Sequence, residues 1–305
     1  MFIEALLYQI AGEKQEGMKS PCNILLIIRI MNIGIEEMKH ILILILTVFL
    51  TTASLADSNV FPIPEKSVQS VFGERNGTFA MIDCTSQAIS VFNPEAAREK
   101  LPPCSTFKIW NTLTGLENGV ISSPGEAFYK WDGEVRFIPE WNKDLTLKEA
   151  FQASCVPAFQ NLARKIGPER MKLWIDKIGY GDRDISSGID VFWLPAKGRK
   201  TILISPEGQA KLICSLVTGK LPFSEKSMSV LKDIMVIKKT DKGILYGKTG
   251  SGADDTGKFN LGWFVGFVQS NGRTYTFSCA IKGEKLMGKD ARAMAEKILE
   301  DNGFL

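Results

Sequence analysis

The sequence predicts an α+β domain: a central antiparallel β-sheet flanked by helices, with a large helical insertion between its strands. Two strand patterns around a polar turn follow residue 76, and three consecutive strand patterns follow residue 242. The long stretch between them carries its apolar residues at helical rather than alternating spacing. No internal repeat or low-complexity linker interrupts this plan.

Gly77 to Asp83 and Ala88 to Phe92 form the opening hairpin. From Thr106, the positions Phe107, Ile109, Trp110, Leu113 and Leu116 recur at helical spacing as far as Asn118-Gly119. That helix is too apolar for a surface and is expected to run through the middle of the fold. A second helical region runs from Leu145 to Ile166 and stops at Gly167. Pro157 is tolerated only near a helix start, so the region divides into two helices meeting at Ser154-Cys155-Val156. Pro168 opens a helix to Ile178. Ser205-Pro206-Glu207 supplies cap, first-turn proline and acidic first turn for a helix through Val217, stopped by Gly219. A further helix is expected over Lys226 to Ile237. Gly243–Thr249, Leu261–Val268 and Arg273–Ala280 are the three later strands, with Asp254-Asp255-Thr256-Gly257 and Ser270-Asn271-Gly272 as their turns. Asp290 to Glu300 closes as a helix, packed through Met294 and Ile298.

Met38-Lys39-His40, the apolar run Ile41 to Leu50 and small residues around Ala53 and Ala56 make a signal-peptide pattern over 38–56, with cleavage before Asp57. The run is shorter than the roughly 20 residues of a membrane span. An exported protein, periplasmic or secreted, with no stable membrane span in its mature form is therefore expected. Residues 1–37 read as an upstream extension from an early start codon, with an anchoring segment around Ile24–Ile30 as the alternative. Residues 57–305 are expected to be the mature domain. Of 37 Lys/Arg and 34 Asp/Glu, the leader carries four and five, leaving 33 against 29. Such a mildly basic chain without a polybasic tract argues against a nucleic-acid partner. Cys84, Cys104, Cys155, Cys214 and Cys279 remain, an odd number, so at least one thiol is free or paired between chains. Their apolar neighbours suggest buried small hydrophobes. The sequence assigns no oligomeric state.

Ser105 and Lys108 carry the chemistry. Side chains three apart lie on one helix face, so Lys108 can reach the Ser105 hydroxyl. At the start of a helix, unpaired backbone N–H groups point toward an oxygen gaining negative charge. The single histidine, His40, lies in the leader, which excludes a Ser-His-Asp relay and a histidine-built zinc site. No metal is expected. The base is then a lysine, and an ammonium with a pKa of about 10.4 has no lone pair at neutral pH. Lys248-Thr249-Gly250-Ser251-Gly252 follows a strand pattern and offers a second cation, two hydroxyls and a glycine that lets a ligand approach the backbone.

These residues resemble the penicilloyl-serine transferase superfamily, and specifically the class D (oxacillinase-type) serine β-lactamases. Ser105-Thr106-Phe107-Lys108 matches the family's nucleophile box and Ser154-Cys155-Val156 its Ser-x-Val box. Tyr180-Gly181-Asp182 is similar to its Tyr-Gly-Asn, with aspartate in the last place. Phe192-Trp193-Leu194 matches the tryptophan segment, and Lys248-Thr249-Gly250 the strand triad. Pro195 to Lys200 is longer than the usual loop there. The resemblance implies hydrolysis of the β-lactam ring of penicillin-type antibiotics through a serine acyl-enzyme, with a carbon dioxide-derived carbamate on Lys108 as general base and no other cofactor. It implies that Phe107, Val156 and Trp193 shield that lysine, Trp193 donating its indole N–H. It gives Ser154 and Lys248 the proton path to the lactam nitrogen, and Ser105 and Ser251 the backbone N–H donors. Thr249, Gly250, Ser251 and a basic residue then hold the substrate carboxylate, Arg292 being the first choice and Lys289 the second. The alternative is an acylating β-lactam sensor or a penicillin-binding protein without efficient turnover.

Overall fold

Strand Asn76–Asp83 (β1) is buried at every position after its first, which places it inside a sheet rather than at an edge. The computed structural model describes residues 61–121, 125 and 127–305, so the expected extension 1–37 and signal peptide 38–56 lie outside the described residues. β1 pairs with Ile89–Phe92 (β2) on one side. On the other it pairs with Arg273–Lys282 (β8), joining the two ends of the domain. The sheet runs β2-β1-β8-β7-β6-β5 and is antiparallel throughout, with Val236–Lys239 as β5, Gly243–Ala253 as β6 and Phe259–Ser270 as β7. The expected sheet is present, with longer strands than the sequence spacing indicates.

One sheet face packs against helix α1 (Glu65–Phe72) and the C-terminal helix, Gly288–Asp301, through Val68, Phe72, Met294, Ile298 and Leu299. The other face carries the helical insertion. There, Lys108 to Gly115 of the helix Lys108–Glu117 are all buried, so this helix does run through the core. The predicted break at 154–156 is real: helices Leu147–Gln152 and Val156–Ile166 meet there, and the first begins with a capping box of Thr146 and Glu149. Pro168–Ile178 is helical, as its proline and flanking glycines imply. Helix Pro206–Val217 (α7) starts at the Ser205 cap, whose hydroxyl accepts from Gly208 N. One element differs. The helix expected to reach Ile237 is Glu225–Met235, and Val236–Lys239 instead form the edge strand. β-branched Val236 and Ile237 gain more from pairing with β6 than from another helical turn.

All five cysteines are buried, as expected, and two of them are also paired with each other. Cys84, just past β1, is joined in a disulfide to Cys214 of α7, with Cα atoms 5.8 Å apart and 130 residues between them in sequence. Cys104, Cys155 and Cys279 are free and buried. In the chain-entropy account, closing so long a loop stabilises by about 4–5 kcal/mol. Reductant, or Cys214→Ser, is therefore expected to lower the urea midpoint substantially while activity at low denaturant persists; an unchanged midpoint would refute this. Among the described residues no helix is long and apolar enough to cross a membrane.

Candidate active site

Two prolines, Pro102 and Pro103, lead the chain into Cys104, whose φ of +52° turns it sharply before the nucleophile. The expected helix start at Thr106 is a 3-10 turn, Cys104–Phe107, feeding the helix at Lys108. This presents Ser105 half-buried at the head of the helix, where Lys108 Nζ donates to Ser105 Oγ at 2.7 Å. Lys108 is fully buried, and its Nζ sits 5.4 Å from the centre of the Phe159 ring. Loss of hydration pushes its pKa down to about 7, against an opposing pull from Cys155 and Cys104. A lysine with that pKa is largely neutral at pH 8. The same contact, reversed, lets Ser105 give its proton to nitrogen.

The second pair stands on a second left-handed residue. Ser154, with φ +54°, lies between the two helices, and its Oγ accepts from Lys248 Nζ at 3.0 Å. It is not a helix cap; Cys155 occupies that position. Lys248 also donates to Thr249 O at 2.9 Å and lies 5.6 Å from the Phe151 ring centre. Burial holds its pKa well below the usual lysine range, and the neighbouring Lys108 depresses it further. The two hydroxyl–lysine pairs thus form one coupled site. Strand β6 lies against the nucleophile turn at Gly250, where a Cβ would stand 3.0 Å from Pro103 O and 3.2 Å from Thr106 N. Glycine is needed here for contact distance, not for backbone angle.

Aromatic rings close the buried side. Phe107 stacks on Trp193 with centroids 5.7 Å apart and meets Phe192 and Tyr180 edge-on at 4.9 and 5.1 Å. Trp193 is fully buried, and its Nε1 has no hydrogen-bond partner among the described residues. Val156, expected beside them as a shield, is only half-buried. Asp182, in the place of the family's asparagine, holds its loop through Oδ1, which accepts from Leu203 N at 3.0 Å and Asp184 N at 3.3 Å. In the loop that follows Trp193, Lys200 pairs with Asp184 and Arg199 bonds Leu194 O.

Arg292, the residue expected to hold the substrate carboxylate, borders a cavity of about 290 Å³ together with Lys248 and Thr249. Its Nε is held by Glu296, one turn along the C-terminal helix. Lys289 is exposed and does not line this cavity. Ser251 faces the same helix, its Oγ accepting from Gly288 N at 3.0 Å. The structure therefore joins Ser105 to Lys108, Ser154 to Lys248, and Arg292 to the Lys248 side. Sequence reasoning passed over Phe151 and Phe159, whose rings contact the two lysines, and Gln209, whose Nε2 donates to Thr106 Oγ1 at 3.0 Å. Only the inward helical position of Gln209, in the turn after Ser205, could have marked it.

The penicillin binding protein transpeptidase domain family matches residues 73–301. The probable β-lactamase YbxI of Bacillus subtilis is 35% identical over 253 residues, covering 83% of this chain and 91% of that protein. The crystal structure of FUS-1 (OXA-85), a class D β-lactamase from Fusobacterium nucleatum subsp. polymorphum, superposes with a TM-score of 0.73 at 35% identity, covering 79% of this chain and 98% of that one. The regulatory protein BlaR1 of Bacillus licheniformis is more distant, 29% identical over 230 residues that make up 37% of its length. A serine–lysine nucleophile pair facing a lysine strand, together with this extent of likeness, means that the chain belongs to the class D β-lactamases within the penicillin-binding transpeptidase family.

Proposed function

We propose that this protein is an exported enzyme that hydrolyses β-lactams through an acyl-enzyme on Ser105, with Lys108 working in its N-carboxylated form. The observation that carries the reading is Lys108 Nζ, fully buried and 2.7 Å from Ser105 Oγ. A neutral amine is the form that combines with carbon dioxide, and the orphaned Nε1–H of Trp193 is a donor suited to a carbamate oxygen. When present, that group supplies an anionic proton acceptor beside the nucleophile.

Ser105 Oγ loses its proton toward Lys108 and bonds to the lactam carbonyl carbon. Backbone N–H groups of Ser105 and Ser251 hold the oxygen as it becomes negative. The lactam C–N bond breaks, and the ring nitrogen takes a proton from Ser154 Oγ, which protonated Lys248 Nζ replenishes across their 3.0 Å contact; the proton that Lys108 took from Ser105 then passes to Lys248, which leaves Lys108 free to act on water. Thr249, Gly250 and Arg292 hold the ring carboxylate. Water then cleaves the ester as its proton passes toward Lys108, and Ser105 regains its hydrogen. Phe107, Val156 and Trp193 keep bulk water from the lysine.

Intact-protein mass spectrometry with a penicillin is expected to reveal one added β-lactam mass that disappears as product accumulates. A permanent adduct would favour the sensor reading that the BlaR1 likeness suggests, and no adduct would overturn both. The pH profile supplies a second check. Lys108 takes up a proton as pH falls through about 7, so kcat/KM is expected to drop roughly tenfold per unit below that point. A flat profile from pH 5 to 8 would remove Lys108 from the mechanism.

A further inference from the structure

Strand β5 covers the outer edge of β6 only as far as the pairing of Val236 with Tyr246. From Gly247 onward that edge has no flanking strand among the described residues, and the 290 Å³ cavity opens there. Its size approaches the roughly 300 Å³ at which ligand pockets begin. The register slips between Val236 and Lys238, so Ile237 is the bulged residue. A bulge re-aims its side chain, and here Ile237 lines the cavity beside half-buried Val236 and buried Ile234. Phe151 completes an apolar wall. The basic members of the lining are Lys248 at the strand and the guanidinium of Arg292 at the rim. An anion accompanied by a greasy group satisfies both walls; an anion alone leaves the apolar wall in water.

We propose that this cavity is a specificity subsite for β-lactams whose carboxylate-bearing ring carries an apolar substituent on the adjoining carbon, with Ile237 as its main determinant. The proposal rests on the β-lactamase reading. Thr249 and Arg292 line the same cavity as Val236 and Ile237, so a ring carboxylate held by the first two brings the substituent on the neighbouring carbon within reach of the end of β5. That substituent then displaces water from Ile234, Val236 and Ile237. The selectivity is one of binding, because this wall lies away from the Ser105 carbonyl chemistry and touches the substrate equally in ground and transition states.

The test uses two cephalosporin-type lactams that share one acyl side chain and differ only at the carbon beside the carboxylate, hydrogen against phenyl. For the natural protein, the phenyl compound is expected to have a kcat/KM about tenfold higher, carried by KM, the order expected for filling an apolar pocket. Ile237→Asp is expected to bring the ratio close to one, and Ile237→Leu to retain it. Hydrolysis of both compounds with equal constants, or an unchanged ratio in Ile237→Asp, overturns the subsite and leaves the β-lactamase reading intact. Failure to hydrolyse either compound, or any other β-lactam, overturns that reading and the subsite with it.

Discussion

Lys108→Ala is expected to lower kcat/KM by about 10²–10⁴-fold, the range that one positioned acid–base group contributes. The loss is expected on both halves of the cycle, since the proposed mechanism uses Lys108 for Ser105 during acylation and for water during release. Bicarbonate separates this from a general packing defect. Stripping carbon dioxide from the natural protein is expected to slow it and added bicarbonate to restore it, whereas the variant responds to neither. Initial rates on a penicillin, with and without bicarbonate, decide the matter. Near-normal turnover in Lys108→Ala would end the proposal, because the described residues contain no histidine to take over.

Trp193 gives the second large effect. Trp193→Phe keeps a ring against Phe107 while removing the indole N–H, and a charge-assisted hydrogen bond contributes about 1.5–3 kcal/mol. That corresponds to a fall of roughly 10–100-fold in activity at ambient carbon dioxide, partly recovered at high bicarbonate. Trp193→Ala also leaves a cavity in a site without exposure, costing about 3–5 kcal/mol of stability. Bicarbonate titrations of the two variants, read beside their denaturation midpoints, distinguish donor from filler. If Trp193→Phe matches the natural protein at every bicarbonate concentration, the indole N–H has no part in the reaction.

Much of this was written locally. The cap, proline and acidic residue at Ser205-Pro206-Glu207 act within one turn, so helix Pro206–Val217 has the predicted bounds. Pro157 likewise divides the 145–166 region at the position where Ser154 is presented. What escaped depends on distant partners. Val236 and Ile237 continue an apolar run that suits either a helix or a strand, and only the neighbouring edge of β6 decides. The two-stranded ribbon of Ala127–Tyr129 and Leu145–Thr146 is too short to produce a period. Helix Glu65–Phe72 has no side-chain cap to announce it. Pairing of Cys84 with Cys214 is set by the approach of α7 to the sheet, which spacing along the chain does not encode. In the site, residue types named the chemistry, but the left-handed turns at Cys104 and Ser154 that aim both hydroxyls became visible only in the fold.

A lysine interred without a counter-charge links conformational stability to proton concentration. Unfolded Lys108 binds its proton near the ordinary value of 10.5, while the native residue waits until about 7. Between these limits the unfolded chain holds the extra proton, so this residue makes the fold less stable as pH falls, by up to about 1.4 kcal/mol per unit. Below about 7 the penalty is fully present; above 10.5 it vanishes. Lys248, displaced in the same direction, adds to the trend. Mild alkali therefore relieves the fold of part of what its reaction centre demands, and a methionine at either position is expected to lose activity while gaining stability.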